Sequence, residues 1–129
     1  MEDSMSANIP VSGDVAVDES GNLISASKVT GTNVYNAARE KLGSVYDVML
    51  NKLNGQVAYA IMSFGGFLGM GESYHPLPWR ALRYDTGVGG YVVDIDRNRL
   101  EGAPHYMTGT EPDWSDRAYG QSIDHYYGY

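Results

Sequence analysis

The sequence predicts an all-β fold, a small and partly open β-barrel of five or six strands with one short helix toward its C-terminal end. Three observations carry this. The runs rich in Val, Ile, Tyr and Leu between residues 25 and 106 are short and are punctuated by Gly, Pro and Asn, as strands and turns are. A chain of 129 residues with 43% hydrophobic content closes around one core rather than two. With no cysteine, neither a disulfide framework nor a thiolate metal site can hold it, so packing and hydrogen bonds must.

Taken in order, residues 29–35 hold several β-branched side chains, residues 42–50 are rich in Val and Leu, and residues 56–64 are almost continuously apolar. Three strands are expected there. Asn54-Gly55 joins the second to the third, since both residues tolerate the positive φ of a tight type I′ hairpin turn. Val45, Val48 and Leu50 cannot share one face of a regular strand, which predicts a bulge near Asp47 and a sharper local twist. In the third run Val57, Tyr59 and Ile61 alternate with Ala58, Ala60, Met62 and Phe64, so both faces are apolar and the strand is central or lies at an interface. A glycine-rich loop follows. Residues 74–79, Tyr-His-Pro-Leu-Pro-Trp, read as an extended edge segment because alternate prolines cannot donate to a ladder. Two further short strands are expected over 81–84 and 91–95, around the turn at 86–90. Asp96 caps a short helix through Leu100, with Gly102 ending it and Pro104 preventing its continuation.

The formal charge of -7 is concentrated at the ends. Residues 1–24 carry -5, residues 25–106 carry +1, and residues 107–129 carry -3. The reading is therefore an acidic, loosely attached N-terminal tail (1–24), a barrel domain (25–106) and an acidic, Tyr-rich C-terminal tail (107–129). A near-neutral domain lacks the basic stripe that nucleic-acid binding needs, so no direct nucleic-acid contact is expected. Met1-Glu2-Asp3-Ser4 carries acid where an export signal carries Lys or Arg. The most apolar stretch, 57–70, contains three glycines and is shorter than the ~20 residues that span a bilayer. A cytoplasmic protein without a membrane span is expected.

The order of motifs resembles a known family. Residues 25–31 (SASKVTG), Glu40-Lys41-Leu42-Gly43 with Asp47-Val48, residues 64–72 (FGGFLGMGE), Pro76-Leu77-Pro78-Trp79 and residues 100–104 (LEGAP) together look like a PRC-barrel domain of the stand-alone bacterial type. The likeness covers residues 25–106. It includes the cytoplasmic domain of the photosynthetic reaction-centre H subunit and the C-terminal domain of a ribosome-maturation factor, both of which use the barrel for docking. The resemblance implies a small β-barrel and an interaction role, and it supplies no catalytic residue. This chain lacks the membrane helix of the first relative and the preceding domain and basic context of the second, so neither function transfers.

Tried on the residues themselves, chemistry finds little support. The glycines of residues 65–71 have neither dinucleotide nor P-loop spacing, and no Lys-Ser/Thr pair follows. Asp94-x-Asp96-x-Asn98 begins like a calcium loop, but Arg99 stands where the required Gly belongs and His105 where the bidentate Glu belongs. His75, His105 and His125 lack metal-ligand spacing. Ser63, Ser73 and His75 could supply a nucleophile and base, but no Gly-x-Ser-x-Gly elbow surrounds either serine. No catalytic residue, cofactor or metal is expected.

Phe67, Leu68 and Met70 form the candidate interaction patch, in which exposed apolar side chains would mark a partner site or a homodimer seam. Trp79 is the candidate structural anchor, able to fill much of a small barrel's core. Trp114, Tyr119, Tyr126 and Tyr127 are read either as a tail that folds back over its own domain or as a docking motif for a partner. The expected function is a non-enzymatic, self-associating interaction module with an unidentified protein partner. The competing expectation is a small-molecule binder or enzyme with a pocket lined by Tyr59, Tyr74, Tyr84 and Tyr91.

Overall fold

The structure is a computed structural model that describes residues 21–65 and 72–129. Its elements are α1 (Ala26–Val29), β1 (Asn33–Tyr35), β2 (Lys41–Leu50), β3 (Val57–Gly65), β4 (Glu72–Pro78), a 3-10 turn (Trp79–Ala81), β5 (Leu82–Asp85), β6 (Gly90–Val93), α2 (Arg97–Glu101), β7 (Tyr106–Met107) and α3 (Arg117–Tyr126). The candidate patch Phe67, Leu68 and Met70 lies outside the described residues.

The strands form one sheet in the order β5-β6-β1-β2-β3-β4-β7. The β1–β6 pair is parallel and every other pair is antiparallel. The sheet is curled but not closed. Trp79, at the end of β4, meets Tyr91 of β6 edge-on with ring centroids 5.5 Å apart, although three strands separate β4 from β6 in the sheet order. Only a sheet wrapped around its core brings those rings together, and this is the partly open barrel. Its seventh strand is the two-residue β7, which pairs Tyr106 with Tyr74 and Met107 with Ser73.

Local chemistry explains where the strands begin and end. The strand expected from Val29 is shorter, because the Lys28 and Val29 amides donate to Ser25 O at 2.9 and 3.1 Å and wind that segment into a helical turn. Gly31, at φ 87°, then turns the chain into β1. The β2–β3 hairpin forms, but not through a two-residue type I′ turn. Its loop spans residues 51–56, Gly55 alone takes positive φ (77°), and Asn51 Oδ1 accepts from the Leu53 and Asn54 amides. Asn51 thus organises a wider turn in which Asn54 needs no left-handed backbone. The expected bulge is present: Val45 pairs with Met62 and Asp47 with Ile61, leaving Tyr46 as the extra residue. Pro76 and Pro78 pair with β3, whereas β7 reaches only Ser73 and Tyr74, so the missing proline donors lie where β4 is an edge. Asp96 caps α2 by accepting from the Arg99 amide at 2.7 Å, and Gly102 ends that helix.

One contiguous core fills the inside of the curl. It joins Val34 of β1, Leu42 and Val45 of β2, Ala60, Met62 and Phe64 of β3, Leu77 of β4, Tyr91 and Val93 of β6, with Val29, Ile95 and Leu100 closing its ends. Gly43 lies where β2 crosses closest to its neighbour: a Cβ there would overlap the Ser63 carbonyl oxygen.

The C-terminal segment contains a ten-residue helix, α3, not a loop-like run alone. Asp116 accepts from the Ala118 amide at 2.9 Å and so caps its start. Tyr119, Gly120, Ile123, Asp124 and Tyr126 are its covered positions, followed by the half-buried C-cap Tyr127; Tyr119, Ile123, Tyr126 and Tyr127 follow the i, i+4, i+7 and i+8 pattern of one helix face.

Candidate docking face

Alternation along β3 divides its side chains between two layers. Ala60, Met62 and Phe64 enter the barrel core; Tyr59, Ile61 and Ser63 point outward. The cross-strand register carries the same division into β4, where Ile61 faces Pro76, Tyr59 faces Pro78 and Ser63 faces Tyr74. An outward residue of a small barrel is ordinarily wet, yet Ile61 is only 1% exposed and Pro76 is fully buried.

The cover comes from the C-terminal segment, whose helix α3 packs against β4. Ile123 contributes a fully buried side chain from that helix. A chain of rings runs across this face: Tyr46 to Tyr74 (4.6 Å between centroids), Tyr74 to Tyr106 (5.5 Å), Tyr106 to Trp114 (6.2 Å), then Trp114 to both Tyr59 (6.2 Å) and Tyr119 (5.7 Å). Several of these meet edge to face or tilted, the arrangements that ring quadrupoles favour. Burial, reinforced by the nearby Glu111 carboxylate, pushes the Tyr106 hydroxyl up to about 12. Gly120 lets the helix approach, since a Cβ on it would stand 3.1 Å from the Tyr59 hydroxyl oxygen.

Past Ile123 the helix reaches α2. Tyr126 Oη donates to the Arg99 carbonyl, while Arg99 Nη2 donates to the Tyr126 carbonyl at 2.7 Å and its guanidinium stands 4.5 Å above the Tyr126 ring. Arg80 stands 4.3 Å above the Tyr129 ring. A shallow cavity of about 190 Å³ lies at this junction, lined by Asp94, Arg99, His125, Tyr126 and Tyr127 among others. The helix seats imperfectly. The hydroxyls of Tyr119 and Tyr127 are buried without a hydrogen-bond partner among the described residues, a cost of about 1–3 kcal/mol each. Burial raises both hydroxyls' pKa, as expected of groups cut off from water.

The other residues singled out in the sequence fall elsewhere. Trp79 is half-buried at the barrel's rim, packed on the core and on Tyr91. Of the four tyrosines proposed to line one pocket, Tyr59 and Tyr74 lie on the outer face, whereas Tyr84 and Tyr91 pair across β5 and β6 with centroids 5.3 Å apart. The structure brings together two histidines that sequence spacing kept apart: the His75 and His105 rings stack at 5.0 Å. His75 is buried, its pKa lowered to about 4 by desolvation and by the charge His105 would carry. Ser73 Oγ donates to the Phe64 carbonyl at 3.1 Å and lies 2.9 Å from His75 Nε2, so its free lone pairs suit a proton on that nitrogen. His75 then acts as donor toward the serine, the reverse of a general base, and its Nδ1 has no partner among the described residues. The described residues contain no helix long and apolar enough to cross a membrane.

The comparison with protein families agrees with this architecture. None of the curated proteins compared matches the chain. Residues 21–100 match the PRC-barrel domain, a span that takes in α1, strands β1 to β6 and all but the last residue of α2, and the chain belongs to the PRC-barrel family.

Proposed function

We propose that this protein is a non-enzymatic interaction module, an adaptor or scaffold of the cytoplasm that associates with itself and with a protein partner. The family's barrel serves as a protein-interaction module. The observation that supports the same role for this chain is the two-sided burial of β3: its outer side chains, Tyr59 and Ile61, are as apolar as its inner ones and are covered by a segment that follows the barrel in sequence. Apolar residues on the outside of a small barrel serve contacts with something other than its own core. Self-association gives a further apolar surface, such as Phe67 and Leu68, a place to be buried.

The test is the solution mass of the full chain by light scattering, repeated with Phe67→Ser and Leu68→Asp. A dimer that both variants convert to a folded monomer, with an unchanged circular dichroism spectrum, is expected. A wild-type chain that stays monomeric up to high micromolar concentration would remove the self-association from the reading.

A further inference from the structure

Resting on the reading of this protein as an interaction module, we propose that the outer face of β3 and β4 is a helix seat in which α3 is an exchangeable occupant. The partner it accepts is an acidic segment with a tryptophan just ahead of an amphipathic helix, and on that helix phenylalanine five residues and isoleucine nine residues after the tryptophan.

Three features define that partner. The seat already holds a helix, so shape and length are given: Trp114 meets Tyr59 and Tyr106, Gly120 allows close approach over Tyr59, and Ile123 fills the buried centre. The resident helix is a compromised occupant, because Tyr119 and Tyr127 each bury a hydroxyl that has no hydrogen-bond partner among the described residues. A phenylalanine at those positions keeps the ring contacts and leaves no unpaired group, so an incoming helix gains about tenfold in affinity per hydroxyl removed. Charge supplies the third feature. Arg80 and Arg99 stand at the rim over Tyr129 and Tyr126, and the resident segment brings Glu111, Asp113, Asp116 and Asp124 to this side of the molecule against one cation, Arg117. Asp124 of the resident helix and Arg80 both lie near enough to the Tyr59 hydroxyl for their opposite charges to act on it. The connection that would let Trp114 and α3 leave together is residues 108–113, which form no strand or helix and contain Gly109 at φ 85°.

The probe is a fluorescein-labelled peptide of residues 110–129 carrying Tyr119→Phe and Tyr127→Phe, titrated by fluorescence anisotropy into the full chain and into the full-length variant Ile123→Asp, whose own helix is unseated. Low-micromolar binding to the variant is expected, with binding to wild type at least tenfold weaker because the tethered helix competes. Equal affinity for the two proteins would place the peptide elsewhere and overturn the proposal. So would a variant that keeps the wild-type sheet spectrum and a cooperative melt yet binds no peptide. Should Ile123→Asp fail to fold, Gly120→Val, which sets a branched side chain against Tyr59, takes its place. If both variants fail to fold, α3 belongs to the core and the proposal falls. Light scattering separates the two readings: a dimer that binds no peptide leaves the interaction module standing without this seat, and a monomer that binds it leaves the seat without self-association.

Discussion

The two faces of β3 are built from different materials. Inside the curl, Ala60, Met62 and Phe64 join Leu77, Val34, Val45 and Val93, mostly aliphatic side chains drawn from five strands of one sheet. Outside, Tyr59 meets Trp114, which meets Tyr119, and Ile61 lies fully buried as does Ile123; the covering residues arrive from a segment some fifty residues further along the chain. The inner layer is secured by the backbone ladder on which most of its residues sit, so those residues cannot leave without opening strands. The outer layer rests on ring contacts and the buried Ile123, touches the core only at Tyr126 and Tyr127, and contains two hydroxyls with no partner among the described residues. Burial is shallower in the outer layer, where Tyr59, Trp114 and Tyr119 are half-buried around the buried Ile61 and Ile123, so on the proposed reading it is the outer layer that opens as a unit.

The sharpest way to break this contrast is a matched truncation. Leu77→Ala, in the fully buried inner layer, is expected to cost about 3–4 kcal/mol and to lower the melting of the whole domain. Ile123→Ala, equally buried, is expected to loosen α3 while leaving hydrogen-exchange protection in β2 and β3 unchanged. If Ile123→Ala unprotects the sheet as Leu77→Ala does, the layers are one cooperative unit.

Next comes a pH effect confined to the inner layer. His75 faces Phe64, Ser73 and His105, and its pKa in the folded protein is lowered from 6.5 to about 4. The unfolded chain therefore takes up the proton first, and the stability tied to neutral His75 is complete above pH 6.5 and lost as the pH falls toward 4. The loss is about 2–3 kcal/mol. Denaturant melts of wild type and His75→Gln at pH 7 and pH 4.5 should show a smaller drop for the variant; equal drops would assign the effect to carboxylates instead.

Gly43→Ala is expected to destabilise by about 2 kcal/mol, because its new methyl group meets a backbone carbonyl that cannot rotate aside. Urea unfolding midpoints would measure it. The smallest effect has the opposite sign: Tyr119→Phe and Tyr127→Phe should each raise the melting temperature, by the equivalent of about 1 kcal/mol, as the unpaired hydroxyl is removed. A fall on either substitution would mean that the hydroxyl is satisfied in solution.

Much of the inner layer was legible in the sequence because it is local. The bulge beside Asp47 followed from three apolar residues that could not share a face, and the two-sided character of β3 followed from its alternation. The Asp96 cap and the proline edge of β4 followed from which groups lack donors or acceptors. Reading failed where a distant partner or a competing local bond decides. Asn54-Gly55 suggested a tight turn, but Asn51 captures two loop amides and widens it. Val29 suggested a strand, but Ser25 draws it into a helical turn. The helix α3 was obscured by Gly120 and by tyrosines that favour strands, although Asp116 as cap and the spacing of Tyr119, Ile123 and Tyr126 were there to be read. The stack of His75 on His105 joins residues thirty positions apart through the β4–β7 pairing, and no spacing rule anticipates it.

Native-state hydrogen exchange on the full wild-type chain decides whether the outer layer is a separable occupant of a docking face. The amides of Gly120 to Tyr126 are predicted to exchange at least a hundredfold faster than those of Val45 and Ala60 to Met62, through an opening that leaves the sheet protected. Equal protection in the helix and the sheet, lost together with denaturant, would contradict it.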